Sequence, residues 1–197
     1  NFYSTYFFNR KNKLPYVTGK IAVSKNNLIF SKSNKKITNE YSDKFTHFLR
    51  YKNDSLMISY KTLNTDNPKL NCRLKGLKKY SPKRIILDNN LKTKISSYIV
   101  KTATKDNTII FYNKADKSKV ISFKKTKVNL VKSKINKEGR FDIKSILKKL
   151  YNIDCRNLLV EGGDSLTNHL LTKTKFLINF IYIKALKIYL KKQTIEI

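Results

Sequence analysis

The sequence has few of the residues that form cross-links or bind metal ions. Cys72 and Cys155 are its two cysteines, and His47 and His169 are its two histidines. Cysteines and histidines this few and this isolated exclude a disulfide framework and a zinc site. We therefore predict no metal site, and we predict a reducing, cytoplasmic setting for the protein.

Acidic residues and arginine are also scarce beside lysine. The chain has 43 basic and 13 acidic residues, and its net charge of +30 would ordinarily indicate a nucleic-acid partner. Only six of the basic residues are arginine, however, and the lysines are spread almost evenly. Base-edge recognition and bidentate phosphate binding favour the guanidinium group. We interpret the lysines as solvated surface and predict no nucleic-acid partner, with a lysine-rich nucleic-acid-binding protein as an alternative.

Long hydrophobic runs are missing as well. The longest apolar stretch, from Phe176 to Leu190, is interrupted by Lys184 and Lys187 and is too short to span a bilayer. The apolar stretch from Phe2 to Phe8 is too short for a secretory signal and lacks a cleavage pattern behind it. We therefore predict no membrane partner.

The residues that are present suit one α/β domain. With 197 residues, 40% of them hydrophobic, the chain can bury a sizeable core. Helical periodicity begins at about Thr38 and again behind Asp142. Because apolar, β-branched runs alternate with these helices, we predict a largely parallel sheet covered on both faces. The predicted strands are Tyr16–Val23, Leu56–Ile58, Arg84–Leu87, Thr108–Tyr112, Val128–Val131, Leu158–Val160 and Leu177–Ile183.

The segment from Leu158 to Leu170 carries the clearest binding signal. A predicted strand ends in Glu161, and two glycines and the start of a helix follow it. Backbone N–H groups at such a junction bind phosphate, although an ordinary tight turn has the same pattern. Ligands of parallel sheets bind beyond the carboxyl ends of the strands, where we expect this segment to meet Lys20 to Ser24, Thr62 to Arg73, and Asp88.

Five segments in register resemble one known family. They are PYVTGKIAVS from Pro15, FLRYKNDSLMIS from Phe48, TLNTDNPKLNCR from Thr62, PKRIILD from Pro82 and NLLVEGGDSLTNHLL from Asn157. Together they are similar to the reductase domain of the bifunctional riboflavin-biosynthesis deaminase/reductase. The zinc signature of a deaminase, His-x-Glu with Pro-Cys-x-x-Cys, does not occur in this sequence. We expect a linker remnant at residues 1–14 and a reductase domain, short at its C-terminus, at residues 15–197.

The resemblance implies a dihydrofolate-reductase-like fold and a specific reaction. NADPH would reduce the ribosyl group of 5-amino-6-(5-phosphoribosylamino)uracil to the ribityl chain by hydride transfer to the sugar C1′, so the expected partner is a phosphorylated pyrimidine. The sequence has no G-x-G-x-x-G, so the cofactor would not be held in the Rossmann manner. A reductase of the same fold acting on another pteridine or pyrimidine is an alternative.

Matched position by position, the resemblance implies substrate and cofactor residues. Glu161, at a strand end, and Lys20, on the first strand, are the predicted catalytic residues, although Lys20 would equally suit an ordinary surface position. Arg50 and Arg73 are expected to clamp the substrate phosphate, although Arg50 would equally suit an exposed position at a helix C-terminus. The substrate group is Asn34, Arg50, Leu70, Arg73 and Glu161. The cofactor group is Ala22, Lys36, Thr62, Asp66, Asn89, Gly163, Asp164, Ser165, Leu166, Thr167, Asn168 and His169.

The sequence departs from the family pattern in two ways that matter for structure. Lys36 stands where a tryptophan is usual, so an aromatic surface beside the cofactor is lost. The segment from Lys184 to Ile197 lacks the expected proline-containing stretch, so we expect the strands that close the sheet to be missing. An open sheet edge favours association, and we predict a homo-oligomer.

Overall fold

Helices and strands alternate along the chain. The computed structural model describes residues 2–23, 40–162, 166–167, 169–170, 179–184 and 187–192. The helices are α1 (Phe2–Asn12), α2 (Glu40–Lys52), α3 (Tyr60–Asp66), α4 (Tyr98–Lys101), α5 (Lys117–Lys124) and α6 (Ile143–Asn152). The strands are β1 (Tyr16–Val23), β2 (Ser55–Ser59), β3 (Lys83–Leu87), β4 (Thr108–Tyr112), β5 (Asn129–Lys132), β6 (Asn157–Val160), β7 (Asn179–Lys184) and β8 (Lys187–Lys192).

The described strands form one mostly parallel sheet. Their order is β5-β4-β3-β2-β6-β1-β7-β8, and every neighbouring pair from β5 to β7 is parallel. The register places Tyr16 opposite Asn157 and Ser55 opposite Leu158, so β6 lies between β1 and β2. All seven strands that the sequence predicts are present, with bounds shifted by at most two residues. The carboxyl ends of β1, β2, β3 and β6 therefore meet at one edge.

The C-terminal part of the sheet differs from the prediction. We expected the closing strands to be missing, but β8 pairs antiparallel with β7, from Asn179 opposite Lys192 to Lys184 opposite Lys187. The two lysines that interrupt the apolar stretch flank the chain reversal, and the apolar residues on either side belong to two strands. The expectation that no strand follows β7 to close the sheet is therefore wrong.

The core has two parts, one on each face of the sheet. Adjacent strand residues alternate between them, as Ile85 and Ile86 do in β3. One face packs against α6, and the other packs against α2, α3, α4 and α5. Every strand from β2 to β4 is therefore buried on both faces, which explains its continuous apolar sequence.

The two helices predicted from periodicity are present, and a third covers the chain start. The side chain of Asp142 caps α6 by accepting a hydrogen bond from Ser145 N at 3.2 Å. The expected cap of α2, Thr38 or Asn39, lies outside the described residues. Within the predicted linker remnant, α1 is anchored by Asn9, whose Nδ2 donates to the carbonyl oxygens of Leu14 and Arg156. Among the described residues, no helix has the length and apolar character of a membrane span.

Asp88 organises the loop that follows β3. Its carboxylate is fully buried and accepts hydrogen bonds from Lys92 N at 2.8 Å, Thr93 N at 2.6 Å and Thr93 Oγ1 at 2.7 Å. Asp88→Ala would leave two backbone N–H groups without their acceptor, so we expect a loss of about 3 kcal/mol in the free energy of unfolding. Urea unfolding measures it, with the exposed Asp106→Ala as the control. Equal stability of the two variants would contradict this structural role for Asp88.

Candidate active site

A cleft of about 810 Å³ opens at the carboxyl ends of β1, β2, β3 and β6. Its position is the one where parallel sheets bind ligands, and its volume is typical of small-molecule and cofactor sites. The predicted site residues that line it are Lys20, Ala22, Thr62, Asp66, Asn89, Glu161, Leu166 and His169. The predicted residues Asn34, Lys36, Gly163, Asp164, Ser165 and Asn168 lie outside the described residues.

Glu161 is held in the cleft by a bidentate ion pair with Arg50. Arg50 Nε donates to Glu161 Oε1 at 2.7 Å, and Arg50 Nη2 donates to Oε2 at 2.8 Å. The two side chains are only 10% and 12% exposed. The remaining Nη1 donates to the carbonyl oxygen of Asn71 at 3.2 Å. The alternative of an exposed Arg50 at a helix end is therefore wrong, because its guanidinium group is buried and bonded to Glu161 and Asn71.

The surroundings of Glu161 keep its carboxyl ionised. Burial opposes the charge, but the hydrogen bonds and positive charge of Arg50 outweigh burial and lower the pKa of Glu161. The charge of Lys20, which also lines the cleft, lowers this pKa further. At neutral pH Glu161 is thus a carboxylate, which accepts hydrogen bonds or a proton and has no proton to donate.

The segment after α3 carries the predicted substrate residues Leu70 and Arg73. Leu70 is buried in the core with a left-handed φ of 52°, and Arg73 is exposed, with Nη1 donating to Asn71 Oδ1 at 3.4 Å. The described residues that line the cleft do not include Leu70, Arg73, Arg50 or Thr167. Their predicted contacts with substrate stay predictions, although Asn71 links this segment directly to Arg50.

His47 connects the same segment to α2. Its Nδ1 atom lies 3.1 Å from the carbonyl oxygen of Asn71 and 3.3 Å from the backbone nitrogen of Arg73. Burial, together with the charges of Arg73 and Arg50, lowers the pKa of His47. A largely buried, neutral imidazole with these backbone contacts indicates a structural role for His47.

The helix α3 carries two of the predicted cofactor residues. Thr62 and Asp66 lie one turn apart, so both face the cleft, and Ser59 caps the helix by accepting from Thr62 N at 3.3 Å. A loop over the whole of Thr62 to Arg73 is therefore wrong, because its first five residues belong to the helix. The helix continues until Asn67, whose φ of 42° ends it just before Pro68.

Gly162 is required by the close approach of the segment that follows β6. A Cβ atom at this position would lie 3.0 Å from Thr167 Oγ1 and 3.2 Å from Leu166 Cβ. The carbonyl oxygen of Gly162 also accepts a hydrogen bond from Thr167 Oγ1 at 3.5 Å. Thr167 thus packs under the turn, and Leu166 faces the cleft.

Sequence reasoning missed the cleft residues that precede α6. Gly139, Arg140 and Phe141 line the cleft, and Asn89 Nδ2 donates to the carbonyl oxygen of Gly139. None of the five matched segments covers this region. The available signal was an arginine beside a glycine, just before the strong helix start at Asp142, in a sequence where arginine is rare.

The donor set of the cleft fits a large anionic cofactor such as NADPH. Its lining includes the cations Lys20, Lys61 and Arg140, together with hydroxyl and amide side chains and apolar residues. Cations and amides suit phosphate groups, while apolar surface suits the nicotinamide and adenine rings.

Comparison with known proteins places the chain in a family. Residues 16–179 match the family model described as the RibD C-terminal domain. The chain belongs to this family. The predicted family and the predicted α/β fold with a mostly parallel sheet are thereby confirmed, and the matched residues include those that line the cleft and the strands β1 to β6.

Similar sequences and structures agree with this assignment. The riboflavin biosynthesis protein RibD of Actinobacillus pleuropneumoniae is 31% identical over 163 residues, which are 82% of this chain and 43% of that protein. The 2,5-diamino-6-ribosylamino-4(3H)-pyrimidinone 5′-phosphate reductase of Debaryomyces hansenii is 29% identical, and the match covers 93% of this chain and 79% of that protein. The structure of Acinetobacter baumannii RibD, form 1, has a TM-score of 0.75 at 18% identity and covers 92% of this chain and 49% of its own. The chain thus spans less than half the length of these RibD proteins.

Proposed function

We propose that this RibD C-terminal domain catalyses the NADPH-dependent reduction of the ribosyl group of 5-amino-6-(5-phosphoribosylamino)uracil to the ribityl chain, a step of riboflavin biosynthesis. One observation carries the proposal. The cleft brings the ionised Glu161 and the cation Lys20 together with the predicted cofactor residues Thr62, Asp66 and Asn89. A largely buried carboxylate whose pKa is shifted by specific charged neighbours in a cleft is typical of a functional site.

Glu161 and Lys20 would act on the sugar end of the substrate. With the ribose ring opened to an imine, C1′ accepts a hydride and the attached nitrogen takes up a proton. Bound NADPH supplies the hydride. Glu161 accepts hydrogen bonds from the sugar hydroxyls or pyrimidine N–H groups and so fixes C1′, and Lys20 is the proton-bearing group beside it.

The cofactor would lie in the same cleft. Its predicted residues Ala22, Thr62, Asp66, Asn89 and His169 line the cleft, and all but the alanine offer polar groups, namely hydroxyl, carboxylate, amide and imidazole. The turn at Gly162 starts the segment that we predict to surround the cofactor phosphates. Since the chain has no Rossmann fingerprint, these side chains and this turn must provide the cofactor affinity.

The direct test is an assay of the purified chain with NADPH and the proposed substrate. We expect NADPH oxidation that depends on the substrate and a ribityl product identified by mass spectrometry. We also expect NADPH to raise the unfolding temperature, because a ligand that binds only the folded state stabilises it. A protein that neither binds NADPH nor gains thermal stability from it is not this reductase.

A second substrate is supported by the match to the reductase of Debaryomyces hansenii. This chain covers 79% of that protein but only 43% of the RibD of Actinobacillus pleuropneumoniae. The name of the yeast enzyme gives its substrate as the 2,5-diamino-pyrimidinone, which differs from the uracil by an amino group in place of a carbonyl. The same assay with both compounds decides between them, and the larger kcat/KM identifies the substrate.

Arg73→Ala is expected to weaken binding of the substrate phosphate. Arg73 is exposed beside Asn71, and loss of a charge-assisted bond to phosphate should raise KM for the phosphorylated substrate about tenfold. The KM of the dephosphorylated substrate and the Kd of NADPH should be unchanged. Lys75→Ala, which removes an exposed charge two residues away, is the matched control. Equal effects on both substrates would reject the phosphate clamp.

Oligomeric state and cellular location complete the proposal. We propose a cytoplasmic homo-oligomer, as expected from the sequence. Cys72 and Cys155 are both free and buried, which suits a reducing compartment. Light scattering of the purified chain measures the oligomeric state, and a monomer at every concentration would contradict the prediction.

A further inference from the structure

Arg140 is distinguished from the other arginines by its position. All six arginines are described, and Arg140 is the one that lines the cleft. Arg84 is buried and donates to Thr102 and Asn107. Arg50 is committed to Glu161, as described above. A guanidinium group in a cleft that suits an anionic ligand points to a binding role, because its planar fork matches phosphate.

The chain around Arg140 is built as a fixed turn. Ile135 and Phe141 form an isolated antiparallel bridge, and Asn136 N donates to the carbonyl oxygen of Arg140 at 2.7 Å. Asn136 Oδ1 accepts from the backbone nitrogens of Glu138 at 3.0 Å and Arg140 at 2.9 Å. Gly139 adopts φ of +73°, which favours glycine. The backbone of Arg140 is therefore held in place although its side chain is exposed.

Two contacts join this turn to predicted cofactor residues. Asn89 Nδ2 donates to the carbonyl oxygen of Gly139, so the turn is attached to the loop after β3. Arg140 Nη1 lies 3.2 Å from His169 Nδ1, which belongs to the segment that we predict to surround the cofactor phosphates. The turn that carries Arg140 thus contacts Asn89 and His169, two residues that were assigned to NADPH without reference to it.

The guanidinium group of Arg140 keeps hydrogen-bonding capacity for a ligand. Its acidic neighbour Glu138 is 3.9 Å away through Nε, and both side chains are about half exposed. A pair at this distance and exposure is weak. Nη2 has no hydrogen-bond partner among the described residues, so a phosphate oxygen can be bound there without breaking a strong contact.

We propose that Arg140 binds a phosphate group of NADPH and so sets the affinity of the protein for its cofactor. The inference rests on the proposed function. It adds a cofactor residue from a region that none of the matched segments covers. The phosphate is either the ribose 2′-phosphate or the pyrophosphate, and these two share the chemistry that Arg140 recognises.

Equilibrium binding of NADPH and NADH to the free protein tests the proposal. Arg140→Ala is expected to raise the Kd of NADPH about 10- to 100-fold, because a charge-assisted bond to phosphate is lost. Arg140→Lys keeps the charge but lacks the planar fork, so its Kd for NADPH should lie between that of the unchanged protein and that of Arg140→Ala. Lys137→Ala removes an exposed charge from the same turn, outside the cleft, and should leave the Kd within about twofold of the original.

Each outcome decides a specific statement. A loss confined to NADPH assigns Arg140 to the 2′-phosphate, and an equal loss for NADPH and NADH assigns it to the pyrophosphate. If the unchanged protein binds NADPH and Arg140→Ala binds it as tightly as Lys137→Ala does, the inference is overturned while the proposed function stands. If the unchanged protein does not bind NADPH, both are overturned. Circular dichroism of each variant confirms that the fold is retained.

Discussion

Glu161→Gln is expected to lower kcat/KM on the order of 10²- to 10⁴-fold, the range typical of a lost acid–base or charged positioning group. In the proposed mechanism the carboxylate accepts hydrogen bonds from the substrate, and an amide of the same shape has lost the charge and one acceptor oxygen. Steady-state kinetics with the proposed substrate measures the effect. The Kd of NADPH, measured separately, should stay within about twofold, because the proposal assigns Glu161 to the sugar of the substrate and not to the cofactor.

Glu40→Gln is the matched control for this experiment. Glu40 is an exposed carboxylate outside the cleft, so kcat/KM should be unchanged. The pH dependence gives a second readout. Because Arg50 and Lys20 lower the pKa of Glu161 below its ordinary value of 4.5, any loss of activity caused by its protonation lies below pH 4.5. Glu161→Gln with nearly full activity would show that the carboxylate has no part in catalysis.

Arg50→Ala is expected to reduce the free energy of unfolding by about 3–5 kcal/mol, the typical effect of removing one member of a buried ion pair. The variant leaves a carboxylate that is 12% exposed without the two hydrogen bonds that hold it. It also removes the bond between α2 and the carbonyl oxygen of Asn71. Chemical unfolding at neutral pH measures the loss.

The stability difference between Arg50→Ala and the unchanged protein depends on pH in a defined direction. Arg50 lowers the pKa of Glu161 in the folded state, so the stabilisation is fully present above the unfolded value of about 4.5. It is lost as the pH falls through the lower folded pKa. The two unfolding curves should therefore approach each other in acid. A constant difference at every pH would contradict a charge-based role.

Two further variants separate the ion pair from ordinary packing. In Arg50→Ala with Glu161→Gln, no charge remains buried, so the double variant should be more stable than Arg50→Ala alone. Lys44→Ala breaks an exposed pair with Glu40 on the same helix and should cause no measurable change. A double variant that is less stable than Arg50→Ala would show that the cost comes from packing.

The sequence was most informative where the pattern is local. The strands from Tyr16 to Val23 and from Thr108 to Tyr112 were predicted with their final bounds, because apolar and β-branched residues dominate both and a polar residue follows each. The start of α6 was predicted for the same reason, since Asp142 caps a helix with a clear apolar face. The sequence alone also predicted that Lys20 and Glu161 lie in one site.

The contacts that complete the site join distant parts of the chain. Arg50 and Glu161 are 111 residues apart, and Asn89 and Gly139 are 50 apart. No local periodicity indicates which arginine contacts which carboxylate. The prediction therefore assigned Arg50 to the substrate phosphate, whereas the structure places it against Glu161. The turn at Arg140 was missed because it depends on one asparagine side chain and has no hydrophobic pattern.

The composition of β8 has a consequence for how copies of this protein meet. This strand ends the described sheet, and its sequence KIYLKK has three lysines in six residues. A second copy that paired with this strand would bring two lysine-rich strands next to each other. Like-charge repulsion therefore disfavours continuation of the sheet from one molecule to the next, and it does so most strongly at low ionic strength. A homo-oligomer of this chain should accordingly form through another surface.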